Sequence, residues 1–226
     1  MEKNDDLQKF VPVYELNGVN QIWEKLLFKG IKKNYSKGSV IEGNKDMFGY
    51  LYRGKIRLSA ITAQGKERII LYMKNGCICT EINLFHSYHN MYSAEVLAMT
   101  DCIIYFFPKE MLSDVEFTKQ YPELITNLVK SLSYKAGAFF SQLSEKTELT
   151  FIAQLCRFLY RQYLQAGSST FKFGFSQIEL ALMFNIHRNT LCRGISFLRN
   201  EGVIGKCTKN CLEITDLGRL EELAQL

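Results

Sequence analysis

The alternation of hydrophobic and polar positions changes period along the chain. In the first half, short apolar-rich runs occur at Tyr50–Arg53, Lys55–Ile61, Glu67–Met73, Ser93–Ala98 and Cys102–Phe107. Lys55–Ile61 alternates polar and apolar residues in part, as a half-buried strand does. Glycines at 38, 43, 54, 65 and 76 punctuate these runs, the last four spaced by eleven residues. Thr62–Lys66 supplies a turn in which Gly65 can take a positive φ. Short strands at roughly 8–12-residue spacing predict an all-β roll, sandwich or jelly roll.

Beyond Pro108 the period lengthens. Ile125, Val129, Leu132, Ala136, Phe139 and Leu143 follow one another in steps of 4, 3, 4, 3, 4, the a/d seam of a paired helix. This long helix is expected to end near Ser144 and to pair with its twin in a symmetric dimer, the small residues Ala136, Gly137 and Ala138 permitting close approach. The same pattern also fits an amphipathic helix lying on its own domain. A second helix is expected over Glu148–Gln165, with Phe151, Ile152, Leu155, Phe158, Leu159 and Tyr163 as apolar positions, broken by Ala166–Thr170.

The last third carries the sharpest local signal. Ser176 and Glu179 form a capping box, so a helix begins at Gln177. Asn185 suits a sharp left-handed turn, and a second helix starts near Arg188 with Leu191, Ile195 and Leu198 inward and Gly202 at its end. Two short helices joined by a tight turn make a helix-turn-helix. Arg188, Asn189, Cys192, Arg193 and Ser196 fall outside the packed stripe. An arginine fork can bind guanine O6 and N7 together, while Thr190 and Ser196 suit phosphate contacts. Val203–Lys206 and Cys211–Ile214 flank the turn Thr208–Asn210 as a β-hairpin wing, with Lys206 and Lys209 toward a DNA backbone. A last helix is capped at Thr215 or Asp216.

At 226 residues, with 47% hydrophobic and 23% charged residues, the chain has room for one or two folded domains. The polar, acidic start Met1–Asp6 reads as no secretory signal, and no apolar run approaches the roughly 18–20 residues of a membrane span. Seven cysteines without an export signal point to reduced thiols and a cytoplasmic protein. A net charge of +5 permits nucleic-acid binding without requiring it. An enzyme is disfavoured, since neither a phosphate loop nor a nucleophile motif is present. Cys77 and Cys79, and Cys207 and Cys211, lack the spacing of a zinc site, so no metal is expected. His86 and His89 read as surface residues. Thiols near the recognition helix and wing leave open an alternative, a redox- or ligand-sensing module whose helix-turn-helix serves protein contacts.

The chain resembles the Crp/Fnr superfamily, relatives of the cyclic-AMP receptor protein, over roughly residues 30–226. The most specific stretch is Ser176-Gln-Ile-Glu-Leu-Ala181, Arg188-Asn-Thr-Leu-Cys-Arg193 and Leu198-Arg-Asn-Glu-Gly-Val-Ile204, against the family's T-x-x-E-L-A, S-R-E-T-V-S-R and L-x-x-E-G-L-I. Tyr35–Gly43 and Leu51–Leu58 resemble its β-roll hairpins. The resemblance implies an α+β protein with an N-terminal β-roll of the cyclic-nucleotide-binding type, a long dimerisation helix and a C-terminal winged helix-turn-helix, divided at 1–110, 111–145 and 146–226. It implies a homodimer that binds double-stranded DNA at a palindrome, works with RNA polymerase and activates transcription, the family's commoner mode. Ser176, Gln177, Arg188, Asn189, Thr190, Cys192, Arg193, Ser196, Lys206 and Lys209 would face DNA. Asn189 replaces the family's glutamate, which removes one cytosine contact and offers an adenine pairing instead. His187 stands where many members have serine and reads as a neighbour of the helix N-cap.

Thr80–Phe85 keeps the family's Glu81, but Tyr92-Ser-Ala94 lacks its phosphate-binding arginine, which argues against cyclic AMP because a desolvated anion without a cation is costly. The first cysteine is Cys77, so no iron–sulfur cluster is expected. Leu132–Phe140, the His187, Thr190 and Arg193 spacing and Leu198–Glu201 resemble the halorespiration regulators, which sense chlorinated phenols. That resemblance implies a phenolic or haloaromatic effector held by Glu81, Tyr92, Ser93, Tyr134, Lys135 and Phe139, with Lys135 facing the roll against a phenolate. Lys135 reads equally as a solvated helix lysine.

Overall fold

The computed structural model describes residues 14–42, 46–62, 64–81 and 92–225. The chain divides into two compact units whose boundary falls between Ala138 and Phe139, inside one long helix. The first is built on two four-stranded sheets, ordered β1-β5-β4-β7 and β2-β8-β3-β6. Their strands are β1 (Glu15–Leu16), β2 (Ile31–Tyr35), β3 (Met47–Arg53), β4 (Ile56–Thr62), β5 (Glu67–Met73), β6 (Cys77–Cys79), β7 (Tyr92–Ala98) and β8 (Cys102–Pro108). All five expected strands are present within a residue or three. Among the described residues of this unit, every strand pairing is antiparallel except β1 on β5.

Between β3 and β4 the chain reverses at Gly54, whose φ is +116° and where an added Cβ would lie 2.5 Å from Cys102 Sγ. Only glycine meets both demands. A 3-10 helix at Gln21–Lys29 and two α-helices, α1 (Val115–Gln120) and α2 (Pro122–Glu148), complete the unit's elements. One face of the second sheet packs on these helices, with Trp23, Leu26, Phe48, Tyr50, Ile78, Phe107, Phe117, Leu124 and Leu128 in a single cluster. Trp23 meets Phe48 edge-on at 5.4 Å, the arrangement that aromatic quadrupoles favour.

The helix α2 runs to Glu148, four residues past its expected end, and presents two stripes. Leu124, Leu128, Ser131, Lys135, Ala138, Gln142 and Glu145 are buried, while Val129, Leu132, Phe140 and Leu143 are exposed. One stripe is thus covered within the chain, and the other leaves apolar side chains exposed. Ile125, expected on the seam, is partly buried and packs against the core cluster. Phe139 is half-buried, and Phe140 is the aromatic residue that stands out on the exposed stripe.

In the second unit, α2 is followed by α3 (Phe151–Ala166), β9 (Thr170–Phe171), α4 (Gln177–Phe184), α5 (Arg188–Asn200), β10 (Ile204–Thr208), β11 (Cys211–Ile214) and α6 (Leu217–Ala224). The helix α3 starts three residues later than expected because the Thr150 side chain caps it, and it ends at Gly167, whose left-handed φ is +66°. Phe158 gathers Phe173, Phe175 and Phe184 at centroid distances of 6.1, 5.3 and 5.7 Å. The wing is a three-stranded sheet, β10-β11-β9. Its third strand is two residues long and carries no periodicity to find.

Asn20 is fully buried and ties three segments of the first unit. Its Nδ2 donates to Asn127 Oδ1 at 2.8 Å, and its Oδ1 accepts from Ile78 N at 2.9 Å and from Ser131 Oγ at 3.1 Å. Removing that side chain leaves buried donors unpaired. Asn20→Ala is expected to lower unfolding free energy by about 2–4 kcal/mol, with more than one partner stranded at about 1–3 kcal/mol each. Urea denaturation followed by tryptophan fluorescence checks this, and a loss below about 0.5 kcal/mol would contradict the tie.

Candidate functional site

The helix-turn-helix is built by local chemistry. Ser176 Oγ accepts from Glu179 N at 3.2 Å while Glu179 Oε2 accepts from Ser176 N at 2.7 Å, the reciprocal capping box. Asn185 closes α4 in the left-handed conformation at φ +51°. His187 is itself the N-cap of α5, its Nδ1 accepting from Asn189 N at 3.2 Å, rather than a neighbour of the cap. Leu191, Ile195 and Leu198 are buried. At Gly194 an added Cβ would lie 2.7 Å from the Phe151 ring, so glycine lets α5 sit against α3.

The opposite face of α5 is open. Arg188, Asn189, Thr190, Arg193 and Ser196 are exposed, as are Lys206 and Lys209 on the wing. Ser176, Gln177 and Cys192 are half-buried. Gln177 Oε1 accepts from Arg188 Nη2 at 3.4 Å and lies 3.5 Å from Cys192 Sγ, so it links the two helices. Lys209 Nζ lies 3.7 Å from Glu179 Oε2 of the capping box. Arg199 was not singled out by the sequence. Its Nε donates to Gly205 O at 3.2 Å and its Nη2 to Cys207 O at 3.4 Å, fixing the wing to the end of α5. Its only sequence signal is an arginine one turn before the expected hairpin.

At the start of this unit Glu145 on α2 is buried beside Arg157 of α3, Nη1 to Oε1 at 3.5 Å. Arg157 also holds the end of α6 through Ala224 O at 2.8 Å and Gln225 O at 3.1 Å. Burial pushes the Glu145 carboxyl up to about 7, against the opposing pull of Arg157.

In the first unit, Lys135 is not solvated. Both Lys135 and Glu81 are buried; the ammonium donates to Glu81 Oε1 and, at 2.8 Å, to Ile78 O. The structure thus brings together two of the six expected effector residues. Tyr134 is 60% exposed and is not brought to the Lys135–Glu81 pair, because neighbouring helical residues diverge by about 100°. Phe139 belongs to the other unit. Tyr92 lies at the start of β7, paired with Thr62, and Ser93 pairs with Ile61; the rest of Thr80–Phe85 beyond Glu81, together with His86 and His89, lies outside the described residues.

The cysteines give the redox alternative little geometry. Cys77 and Cys79 are buried on β6, where burial raises both thiols. Burial raises Cys207 as well. Cys207 pairs with Leu212 and Cys211 with Thr208, adjacent rows of one hairpin, so the two thiols leave opposite faces of the wing. Among the described residues no three His, Cys, Asp or Glu side chains group as metal ligands. Likewise no described helix is long and apolar enough to cross a membrane.

A two-sheet sensing roll, a long helix and a winged helix-turn-helix define the class of effector-regulated DNA-binding proteins. The sequence matches the family model of the cyclic nucleotide-binding domain over residues 32–117 and that of the Crp-like helix-turn-helix domain over residues 153–223. The chain belongs to the Crp/Fnr family, a family of transcription regulators and not of enzymes. No curated protein gives a significant sequence match. Solved structures share the fold. A cysteine-to-serine variant of CprK complexed with OCPA has a TM-score of 0.77 at 20% identity, over 93% of this chain and 97% of that one. A doubly substituted CooA from Carboxydothermus hydrogenoformans gives 0.75 at 18%, over 92% and 100%. The c-di-GMP-responsive regulator CLP of Xanthomonas campestris gives 0.72 at 15%, over 85% and 97%.

Two outcomes check this geometry. Lys135→Met strands a buried carboxylate and should cost about 3–5 kcal/mol of unfolding free energy, most of it recovered in Lys135→Met/Glu81→Leu. Equal losses in the single and double variants would show that the pair is not the source. For Glu145, the folded pKa stands near 7, above the ordinary carboxylate value of 4.5. The folded state therefore holds this proton between those values while the unfolded chain has lost it. Stability from this group is full below about pH 4.5 and falls as pH rises through 7. Glu145→Gln should flatten that decline in denaturation curves recorded from pH 5 to 8; an unchanged slope would place the titration elsewhere.

Proposed function

We propose that the protein is a homodimeric, effector-gated transcription activator that reads a palindromic operator with α5. The carrying observation is one helix with Leu191, Ile195 and Leu198 buried and Arg188, Asn189, Thr190, Arg193 and Ser196 open. Arg188, Asn189 and Arg193 read base edges, while Thr190, Ser196, Lys206 and Lys209 contact backbone. Ser176 and Gln177 approach the duplex at the start of α4, and Cys192 lies at the edge of the contact.

The exposed apolar stripe Val129, Leu132, Phe140 and Leu143 supports pairing of α2 with its twin, with Ala136 and Phe139 beside it. A symmetric pair carries its two recognition helices to half-sites about 34 Å apart, one DNA turn. The division into a sensing roll at 1–110, a dimer helix at 111–145 and a reader at 146–226 belongs to the same proposal, as do a cytoplasmic setting and RNA polymerase as partner.

The effector proposed is a small phenolic or haloaromatic molecule bound in the first unit. Support comes from the buried Lys135–Glu81 pair, since a phenol can donate to the carboxylate and accept from the ammonium. CprK is known in complex with o-chlorophenolacetic acid. Binding shifts the population of two arrangements of the reader units, and a ligand does so only by its differential affinity for them.

The test is Arg193→Ala on an operator selected with the wild-type protein. Binding should weaken by about 1–3 kcal/mol, with discrimination lost at one base per half-site. Wild-type affinity and unchanged base preference in the variant would contradict the assignment of α5 as the reader.

A further inference from the structure

Two arginines on the open face of α5 differ in how they are held. Arg188 and Arg193 are both exposed. Arg193 has no hydrogen-bond or ion-pair partner among the described residues, so its guanidinium is free to turn. Arg188 is tied back to α4, its Nη2 donating to Gln177 Oε1 at 3.4 Å. Cys192 stands four residues further along α5, on the same side of the helix, with its Sγ 3.5 Å from the same oxygen. One side-chain oxygen on the first residue of α4 thus receives two donors from successive turns of α5.

That arrangement fixes which way the Gln177 amide faces. A guanidinium carries donors only, and a thiol is at best a weak acceptor. The amide must turn its oxygen to them, since the reversed amide would set N–H against N–H. Both lone pairs of the oxygen are then taken. The Nε2 end keeps its two hydrogens, and no described residue accepts them. Gln177 is half-buried and Arg188 exposed, so the anchor is more constrained than the group it holds.

We infer that Gln177 is a positioning residue for Arg188: its oxygen steers the guanidinium toward one base, while its amide hydrogens are left for a DNA phosphate. This rests on the reading of α5 as the base reader, and it turns Gln177 from a backbone contact into a determinant of sequence preference. A long side chain gives up rotamer freedom when it binds. An arginine already held at one nitrogen gives up less and presents its fork over a narrower range of angles, so a wrong base is met worse. Only one of five N–H donors is spent on Gln177, which leaves enough for a bidentate contact with guanine O6 and N7. Arg193 lacks this support, so its base preference is independent of Gln177 and serves as the internal control.

The full-length protein tests this on an operator selected with wild type, with affinity measured for every single-base change in one half-site and at several salt concentrations. Arg188→Ala and Arg193→Ala first locate the base that each arginine reads. Gln177→Met keeps the length of the side chain and removes its oxygen. It should lower discrimination at the Arg188 base about three- to tenfold, the worth of one hydrogen bond, and leave the Arg193 base unaffected. Gln177→Glu keeps the acceptor and loses the amide donors. It should retain the preference at the Arg188 base while binding every sequence more weakly, because a carboxylate repels phosphate. In an Arg188→Ala background, Gln177→Met should change base preference no further. Uniform weakening by Gln177→Met with unchanged preferences and a salt slope smaller by about one would make Gln177 a phosphate contact alone and overturn the inference. Loss of preference at both arginine bases together would mark a shifted helix and overturn it as well. If Arg193→Ala loses its base while Gln177→Met alters nothing, the inference falls and the reader stands; if wild type selects no sequence under any condition, both fall.

Discussion

The first unit depends on a polar ladder, half-buried at Asn127 and buried at Ser131 and Lys135, along one face of α2. Asn127, Ser131 and Lys135 recur every fourth residue, so they lie in line on the helix. Asn127 Nδ2 donates to Val19 O at 2.9 Å, Ser131 Oγ to Asn20 Oδ1 at 3.1 Å and Lys135 to Ile78 O and Glu81. Trp23 Nε1 adds a bond to Asn127 Oδ1 at 3.2 Å. Apolar packing alone would let a helix slide or rotate on a sheet at small cost. A ladder in which each displaced rung strands a buried donor fixes register, because leaving such groups unmade costs more than making them gains. With register fixed, the stripe of Val129, Leu132, Phe140 and Leu143 is turned outward.

On the proposed reading, a ligand competing for Glu81 or Lys135 would disturb the rung that stands three residues before the boundary of the two units. Charge within this region is already balanced by the pair.

The strands with strong β character and clear turn glycines were legible from residue pattern, as were the capping box, the left-handed Asn185 and the inward stripe of α5, because each follows from local chemistry. What escaped lacks a local signal. β2 reads Ile-Lys-Lys-Asn-Tyr and is largely exposed at a sheet edge, where lysines are tolerated and no alternation develops. β6 has three residues and β9 two. At the site, the open side chains of α5 were legible, whereas Lys135 was ambiguous. Its identity on a helix says nothing of whether a carboxylate 54 residues earlier meets it. Arg199 and Arg157 escaped for the same reason, since their partners, backbone carbonyls and for Arg157 also the Glu145 carboxylate, are brought near only by the tertiary fold.

On the proposed function, a ligand in the first unit governs DNA reading by the second. Its most direct measurement incubates the full-length protein with a randomised duplex pool, with and without phenolic and haloaromatic compounds, and sequences what is retained. The expected result is an inverted repeat with half-sites about ten base pairs apart, enriched with one ligand and weakly without it. A pool left random in every condition, or a repeat enriched identically whatever ligand is present, would contradict it.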